Sequence, residues 1–583
     1  MLRKMAIAII CMIIFLGTQS ADAQNDVKIA LVMKALSNPF FLKMQTGAKE
    51  YAEKQKLPLE IFGIERETDV ERQISIVENL ITRGYGAIVI APADSKALIP
   101  VCKKASEKGI IIVNIDNPFH KEVLQAAQLS IPFVGSDNRA GAAMVGAYLQ
   151  QKMGKTGNVF VIEGIRGVEN AELRKQGFIE AVTTDSQIQI AASETANWHT
   201  DEAFSVVSNL LEQTQNVNAI FCANDNMALG AIQALDMLGL AGKVWVGAYD
   251  NIEEARQEMR NQRLHATIEQ HPELMGAYGV MLAARALTGE KLPDDTATPL
   301  DLITYEGFEK KIGFSISNGA NPFFASLQQG AANAADLFGV QLNVVDAGDD
   351  DAQQLLDLQA FIQTPVDLII LNPTNADTVA PALEMAESSG IKMITVDRKA
   401  SRDDLVISHV ASDNVAGGRM AGEYIAARLQ NKGAILELEG IPGTSAAHER
   451  GQGFNDIVKT YSPDLKVVSR EVGYFDRKKA CAATARLLQE GQAFDAVFAH
   501  NDQMILGVID AFDAEKQAKR PVFVGFDAIP EALDAVAQHR LDATIAQKPE
   551  NMGWKAIEAA VKYFRGDMLN KEIFVDLELV TTK

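Results

Sequence analysis

The sequence predicts an α/β protein built from two tandem copies of one domain, each containing parallel β-sheets. Two observations predict this fold. Short blocks of sequence recur at a nearly constant spacing, and apolar strands alternate with amphipathic helices within each copy. The length of 583 residues corresponds to roughly four lobes of about 150 residues each. The repeat defines the copies, and the alternation defines the fold of each copy.

The internal repeat divides the chain into two halves of similar length. Residues 38–41 (Asn-Pro-Phe-Phe) return as residues 321–324, and residues 266–270 return with a single change as residues 543–547. A steady offset over several such blocks is typical of a duplicated domain. From these matches we predict the following boundaries: a first domain over residues 26–306, a linker over 307–310, and a second domain over 311–583.

Each copy follows a strand–helix rhythm. Residues 27–33 form a nearly continuous apolar run, as expected of a strand that is buried on both faces of a parallel sheet. Past Asn38, apolar residues recur at helical spacing at Phe41, Met44 and Ala48. Further apolar strands are predicted at 87–90 and 109–113, with counterparts at 368–371 and 391–396. Ligands of such sheets bind beyond the carboxyl ends of the strands, so the side chains that follow these strands are the candidates for a site.

Residues 1–23 are predicted to be a secretory signal peptide. Arg3 and Lys4 form a basic start, residues 6–16 are apolar, and Ala21 and Ala23 fit a small-x-small pattern with cleavage after Ala23. The apolar run is shorter than the ~20 residues that a membrane-spanning helix needs. We therefore expect export to the periplasm.

The charge balance excludes one class of partner. There are 55 Lys and Arg residues against 76 Asp and Glu residues, which gives a formal net charge of −21. An acidic surface repels phosphate backbones, so we expect no nucleic-acid binding.

No Cys or His cluster has the spacing of a metal site, so we expect no metal and no cofactor.

Polar and aromatic side chains accumulate after the predicted strands of copy two. Carboxylates, amides and guanidinium groups suit the hydroxyls of a monosaccharide, each of which both donates and accepts. Aromatic rings suit the C–H faces of a sugar ring. Asp or Asn after a strand is often only a helix N-cap, but a matching set in two copies favours a ligand. The set in copy two comprises Asn321, Phe323, Phe324, Asp397, Arg398, Arg450, Phe475, Asn501, Asp527 and Gln547.

Copy two resembles the ribose-binding members of the periplasmic sugar-binding protein family. The resemblance is carried by residues 321–324, 395–398, 441–447, 474–477 and 544–547. It implies two tandem type I domains, each with two Rossmann-like lobes joined by a three-stranded hinge. It also implies that the polar residues of the set bond the sugar hydroxyls and that the three phenylalanines sandwich the ring.

Copy one keeps most of this pattern. Asn117 stands where copy two has Arg398, which removes a forked cationic donor. Trp198 stands where copy two has Phe475, which adds an N–H donor. We expect a related but different ligand, such as another pentose, a hexose or a polyol; a degenerate domain is the alternative. The predicted set in copy one is Asn38, Phe40, Phe41, Asp116, Asn117, Arg174, Trp198, Asn224, Asp250 and Gln270.

The resemblance implies an exported solute-binding protein that captures a monosaccharide in each copy by lobe closure and delivers it to the permease of an ABC-type importer. In copy two the expected ligand is ribose or a related pentose or hexose. We expect a monomer. The alternative is a periplasmic sugar receptor that presents its ligand to a chemoreceptor or a sensor kinase.

An enzyme is the third possibility. Asp397 and Asp527 could act as the paired carboxylates of glycoside hydrolysis. Arg398 and Arg450 are expected to keep both carboxylates ionised, which leaves no acid of raised pKa. We therefore expect no catalytic activity.

Overall fold

A computed structural model describes residues 27–214, 216–364, 366–461, 463–516 and 520–582. The chain forms two compact units, of which unit 1 extends to Tyr305 and unit 2 begins at Glu306. The predicted signal peptide lies outside the described residues. Within them, no helix combines the length and the apolar character needed to cross a bilayer.

Unit 1 alternates strands and helices along its whole length. Its strands are β1 (Ile29–Ala35), β2 (Leu59–Ile64), β3 (Ala87–Ile90), β4 (Ile111–Ile115), β5 (Phe133–Gly135), β6 (Thr156–Glu163), β7 (Gln187–Thr195), β8 (Ala219–Cys222), β9 (Trp245–Gly247), β10 (Ala266–Glu269), β11 (Asp295–Ala297) and β12 (Asp301–Thr304). Its helices are α1 (Pro39–Gln55), α2 (Val70–Arg83), α3 (Ile99–Glu107), α4 (Lys121–Ala126), α5 (Asn138–Lys152), α6 (Glu169–Thr183), α7 (Thr200–Gln213), α8 (Asp225–Met237), α9 (Glu253–Arg260) and α10 (Pro272–Leu287).

A short 3₁₀ turn at Tyr305–Gly307 spans the boundary between the units. Unit 2 then repeats the order of unit 1, except that a 3₁₀ turn at Asp403–Leu405 takes the place of α4. Its strands are β13 (Lys311–Ile316), β14 (Gln341–Asp346), β15 (Leu368–Leu371), β16 (Lys392–Val396), β17 (Val406–Ser412), β18 (Gly433–Glu439), β19 (Leu465–Val472), β20 (Ala496–Ala499), β21 (Val522–Asp527), β22 (Ala543–Ala546), β23 (Glu572–Val575) and β24 (Glu578–Thr581). Its helices are α11 (Pro322–Phe338), α12 (Asp351–Gln363), α13 (Ala380–Ser388), α14 (Asn414–Arg428), α15 (Ser445–Thr460), α16 (Arg477–Gln489), α17 (Asp502–Ala514), α18 (Pro530–Ala537) and α19 (Pro549–Arg565).

Each unit contains two six-stranded sheets, one for each lobe. In unit 1 the strand orders are β11-β5-β4-β3-β1-β2 and β12-β10-β9-β8-β6-β7. In unit 2 they are β14-β13-β15-β16-β17-β23 and β19-β18-β20-β21-β22-β24. All pairings are parallel except those of β12 with β10 and of β24 with β22. These are the predicted parallel-sheet lobes.

The chain crosses between the two lobes of a unit three times. In unit 1 the crossings follow β5, β10 and β11, because β11 joins the first sheet and β12 joins the second. In unit 2 the crossings follow β17, β22 and β23. Three connections side by side allow the lobes to rotate about one axis, so they form a hinge. The three-stranded hinge is as predicted.

Both faces of the central strands are buried under helices. All seven residues of β1 are buried. Leu31 and Met33 pack in one apolar cluster, whereas Ala30 and Val32 pack in another. Alternate side chains of a strand point to opposite faces, so this apolar run serves two layers of helices. The strands are thereby fixed, and the residues that follow them are held at the sheet edge.

Helices α1 and α10 approach each other at glycines. A Cβ atom added to Gly47 would lie 2.0 Å from the carbonyl oxygen of Glu273, and one added to Gly276 would lie 2.0 Å from that of Met44. The corresponding Gly330 of unit 2 has the same relation to Glu550. The two backbones can therefore pack this closely only where the side chain is a hydrogen atom.

We predict that Gly47→Ala destabilises unit 1, because the added methyl group must push the two helices apart. The expected loss is about 1–3 kcal/mol, equivalent to a fall of roughly 2–10 °C in melting temperature. Differential scanning calorimetry measures the change. Lys49→Ala, an exposed substitution on the same helix, is the control and should change stability by no more than about 0.5 kcal/mol. Equal melting temperatures for both variants would contradict the packing argument.

Candidate binding sites

A narrow cavity lies between the two lobes of unit 2. All ten residues predicted for copy two line the cavity. The one other lining residue, Ala446, was not predicted from the sequence. The first lobe contributes Asn321, Phe323, Phe324, Asp397 and Arg398, and the second contributes Ala446, Arg450, Phe475, Asn501, Asp527 and Gln547.

The amides and carboxylates of this cavity are placed by the ends of strands and the starts of helices. Asn321 and Asn501 precede α11 and α17, and their side chains accept hydrogen bonds from Phe323 N at 3.0 Å and Met504 N at 3.0 Å. They are helix N-caps and cavity residues at once, since the cap uses the amide oxygen and leaves the NH₂ group to donate elsewhere; that of Asn501 donates to Phe475 O at 3.4 Å. Asp397 follows β16 with a φ of 63°.

Two cations face two carboxylates in the unit 2 cavity. Arg450 Nη1 lies 3.6 Å from Asp527 Oδ1, and Gln547 Nε2 donates to the same oxygen at 2.6 Å. Arg398 Nε lies 3.8 Å from Asp397 Oδ2. All five side chains are buried. Arg450 is held by further bonds to Asn414 Oδ1 at 2.8 Å and to the backbone oxygen of His500 at 2.6 Å.

Aromatic rings form the apolar walls of the unit 2 cavity. Phe323 and Phe324 pack edge to face with centroids 5.2 Å apart. Phe475 has a φ of 57°, and its ring lies against Gly440, where an added Cβ would be 2.1 Å from the ring. The guanidinium of Arg398 lies 5.2 Å from the Phe324 centroid and 5.7 Å from the Phe475 centroid. A planar cation thus sits between two aromatic walls.

A similar narrow cavity lies between the two lobes of unit 1. Eight of the ten residues predicted for copy one line it, and three lining residues were absent from the sequence set. The predicted lining residues are Asn38, Phe40, Phe41, Asp116, Arg174, Trp198, Asn224 and Asp250, and the additional ones are Lys34, Glu67 and Asn170. The structure therefore brings together a second, partly different set.

Lys34 is the main addition in unit 1. Its side chain is 2% exposed, and its Nζ lies 3.0 Å from Asp116 Oδ2 and 3.7 Å from Glu67 Oε2. Burial lowers the pKa of Lys34, but the charges of Asp116 and Glu67 outweigh burial and raise it. The cation that Arg398 provides in unit 2 is thus replaced by an ammonium group from a different strand. Ser317, directly after β13, occupies the position of Lys34 in unit 2.

Two predicted residues of copy one lie outside the cavity lining. The Asn117 side chain donates to the backbone oxygen of Pro92 at 3.0 Å and accepts from Ser95 Oγ at 3.3 Å. Gln270 lies in the hinge, where its Nε2 donates to Asp250 Oδ1 at 2.7 Å. Its Oε1 accepts from Ser136 Oγ, which belongs to another hinge crossing. Gln270 thus orients the lining carboxylate of Asp250 without itself lining the cavity.

Apart from Asp116 Oδ2, which is ion-paired with Lys34, two buried polar atoms of the unit 1 cavity have no hydrogen-bond partner among the described residues. They are Trp198 Nε1 and Asn170 Oδ1. Trp198 is 5% exposed, and its ring lies against Gly164. Buried donors and acceptors are normally paired. A ligand that accepts from the indole N–H and donates to the Asn170 carbonyl would pair both atoms.

Comparison with known proteins agrees with this geometry. A sequence model of the periplasmic binding protein domain matches residues 29–291 and again 312–568. The chain belongs to the periplasmic sugar-binding protein family. It contains two tandem copies of the type I domain, so the predicted family, fold class and duplication are confirmed.

The matching relatives include sugar-binding proteins that align over most of their own length with about half of this chain. A D-ribose/D-allose-binding protein of Pseudomonas aeruginosa is 40% identical over 50% of this chain and 92% of its own length. The ribose import binding protein RbsB of Bacillus subtilis is 40% identical over 47% of this chain and 88% of its own length. A solved ABC transporter periplasmic solute binding protein from Actinobacillus succinogenes with bound D-allose is 37% identical, covers 48% of this chain and 98% of its own, and has a TM-score of 0.47.

The electrostatics of the unit 2 cavity differ from the sequence-based expectation. We expected Arg398 and Arg450 to keep both carboxylates ionised with no raised pKa. Burial instead raises the pKa of Asp527 to about 7, although Arg450 opposes the shift. Burial also raises the pKa of Asp397 and lowers that of Arg398. The expectation was wrong because desolvation of an enclosed carboxylate outweighs a guanidinium a few ångströms away.

The unit 1 cavity shows the same effect with one more carboxylate. Burial raises the pKa of Asp250 to about 7, and the charges of Asp116 and Glu67 raise it further against the opposing Arg174. Burial likewise raises the pKa of Glu67. Both clefts therefore hold carboxyl groups whose charge is costly until a partner is bound.

We predict a pH-dependent stability effect of Asp527→Asn in the ligand-free protein. The raised folded-state pKa of about 7, against an ordinary 3.8, means that this carboxyl stabilises unit 2 fully below about pH 4. That contribution is lost as the pH rises through about 7. The variant lacks the titration, so its free energy of unfolding minus that of the parent should increase from pH 4 to pH 8. Urea unfolding at several pH values measures this difference.

The control for this prediction is Asp534→Asn, which changes an exposed carboxylate of α18. Its stability curve should run parallel to that of the parent. A difference between Asp527→Asn and the parent that stays constant with pH would contradict a raised pKa at Asp527.

Proposed function

We propose that this chain is an exported tandem solute-binding protein that captures a monosaccharide in each unit and delivers it to an ABC-type sugar importer. Residues 1–23 act as the signal peptide, and the two binding domains span residues 26–306 and 311–583 with a linker at 307–310. The mature protein works as a monomer in the periplasm. The observation that carries the proposal is that all ten residues predicted for unit 2 from the sequence line one cavity between its lobes.

The chemistry of the unit 2 cavity suits a small polyhydroxylated ligand. Arg398 and Arg450 are donors, Asp397 and Asp527 are acceptors, and the amides supply both roles. The phenylalanine walls suit the C–H faces of a sugar ring. Because a sugar hydroxyl donates to a carboxylate, a bound sugar favours the ionised form of Asp527 over the neutral one. The cavity is thus built to be completed by hydroxyl groups.

D-Ribose or a closely related pentose or hexose is the proposed ligand of unit 2. The support is the ribose-type set of cavity residues together with the ribose- and allose-binding relatives that share 40% identity with this chain. Closure of the two lobes surrounds the ligand, and the permease recognises the closed form.

Unit 1 is proposed to bind a different sugar or a polyol. Lys34 and Glu67 add an ammonium and a carboxylate to its cavity, and Trp198 adds an N–H that has no partner among the described residues. Because these donors and acceptors lie at positions that have no such group in unit 2, the ligand of unit 1 must carry its hydroxyl groups at different positions. The two units therefore discriminate between ligands rather than duplicate one site.

We predict that D-ribose binds to one site per chain. Isothermal titration calorimetry of protein freed of bound sugar by unfolding and refolding measures the stoichiometry. Unit 2 should bind, whereas the Lys34 and Trp198 differences should exclude ribose from unit 1. Two equivalent sites would contradict different specificities, and no binding would contradict the ribose assignment.

We predict that Asp397→Ala weakens ribose binding about 30-fold or more, since removing one partner of a buried charge pair costs about 2–5 kcal/mol. The matched control is Asp534→Ala, which removes an exposed carboxylate of the same unit. It should leave the affinity unchanged within about twofold. Calorimetry gives the affinities, and circular dichroism verifies that both variants are folded. Unchanged affinity in folded Asp397→Ala would remove Asp397 from the site.

A further inference from the structure

Helix α6 of unit 1 begins without a capping side chain from its own lobe. The residue before it, Val168, makes no side-chain cap hydrogen bond. The first amides of the helix bond instead to two distant side chains. Glu169 N donates to Ser95 Oγ at 3.0 Å, and Asn170 N donates to Asn117 Oδ1 at 3.3 Å. These bonds pair two of the amides that every helix start leaves free.

The two acceptors belong to the opposite lobe. Ser95 follows β3 and Asn117 follows β4, both in the first sheet, whereas α6 follows β6 of the second sheet. Both side chains are fully buried. Ser95 Oγ donates to Asn117 Oδ1 at 3.3 Å, and Asn117 Nδ2 donates to Pro92 O at 3.0 Å, so the acceptors are fixed within their lobe. The helix cap therefore exists only while the lobes of unit 1 are closed.

Unit 2 lacks this arrangement. Ala376, five residues after the end of β15, takes the place of Ser95, five residues after the end of β3, and Arg398 takes the place of Asn117. Helix α15 carries its own cap, since Ala447 N donates to Thr444 Oγ1 at 3.4 Å. In unit 2 the bond across the cleft has its donor in the first lobe and its acceptor in the second: Lys399 N donates to Ser445 Oγ at 2.9 Å. Opening unit 2 leaves the cap of α15 in place.

We propose that Ser95 and Asn117 form a ligand-independent latch that holds the lobes of unit 1 closed. A side-chain helix cap stabilises by about 1 kcal/mol, so two caps that are lost on opening shift the ratio of closed to open molecules roughly tenfold or more. Unit 2 has no equivalent pair, and its closure depends on the ligand to a greater degree. The latch regulates the cleft assigned under the proposed function and rests on that assignment, but its test needs no sugar.

The experiment uses the fluorescence of Trp198, which is 5% exposed and lines the unit 1 cavity. The quenching of this residue by acrylamide is obtained from ligand-free full-length protein by subtracting the signal of Trp198→Phe, which retains the other two tryptophans. Trp198 should be poorly quenched in the ligand-free parent. The double variant Ser95→Ala/Asn117→Ala should raise its quenching constant several-fold. Equal quenching in parent and double variant, whether high or low, overturns the latch.

Ser445→Ala is the matched control, because it removes the cross-cleft bond of unit 2. It should leave the quenching of Trp198 at the parent value. Hydrogen exchange of the peptide containing Glu169 and Asn170 provides a second measurement that needs no variant. These amides should be protected in the ligand-free parent at least tenfold relative to an unprotected chain. Exchange at the unprotected rate means that the cleft is open and overturns the proposal, whatever ribose binding shows for unit 2.

Discussion

Each cleft holds several ionisable side chains away from water, and their pairing is the constraint on which the rest of the unit depends. Burying a charge without a partner costs free energy, so the closed form is stable only if each buried cation lies beside a carboxylate. In unit 2, Arg450 and Asp527 come from one lobe, whereas Arg398 and Asp397 come from the other. The strands hold each charge at a sheet edge, and the hinge determines whether the two edges meet.

The lining of the unit 2 cavity was predicted except for Ala446, because several of its residues have a second role that leaves a signal in the sequence. Asn321 and Asn501 cap helices, and Asp397 and Asp527 end strands at positive φ. Such positions are visible as polar residues directly after apolar runs. The alternation of strands and helices predicted the sheets for the same reason, because a strand buried on both faces reads as a continuous apolar segment.

The unit 1 cavity was predicted less completely, for two physical reasons. Lys34 lies inside a strand whose other residues are apolar. Its single charge within this apolar run was the only sign in the sequence that it lines the cavity. Asn117 follows Asp116 with the same backbone geometry as Arg398 after Asp397, since both aspartates have a φ of 63°. A long guanidinium side chain reaches back from that position into the cavity, whereas a short amide stays beside its own loop. Side-chain length, not backbone position, separates these two roles.

The last strands of unit 1 have a consequence for how the protein is made. β11 completes the sheet of one lobe and β12 completes that of the other, and only three residues separate them. A chain that emerges from its amino end therefore cannot finish either lobe until the final ten residues of that segment, 295–304, are available. The two lobes are completed together rather than in turn. β12 pairs with the nearby β10, whereas β11 pairs with β5, which lies far back in the chain at Phe133–Gly135. A pairing of such long range slows folding, because a long stretch of chain must be ordered before the two strands can meet.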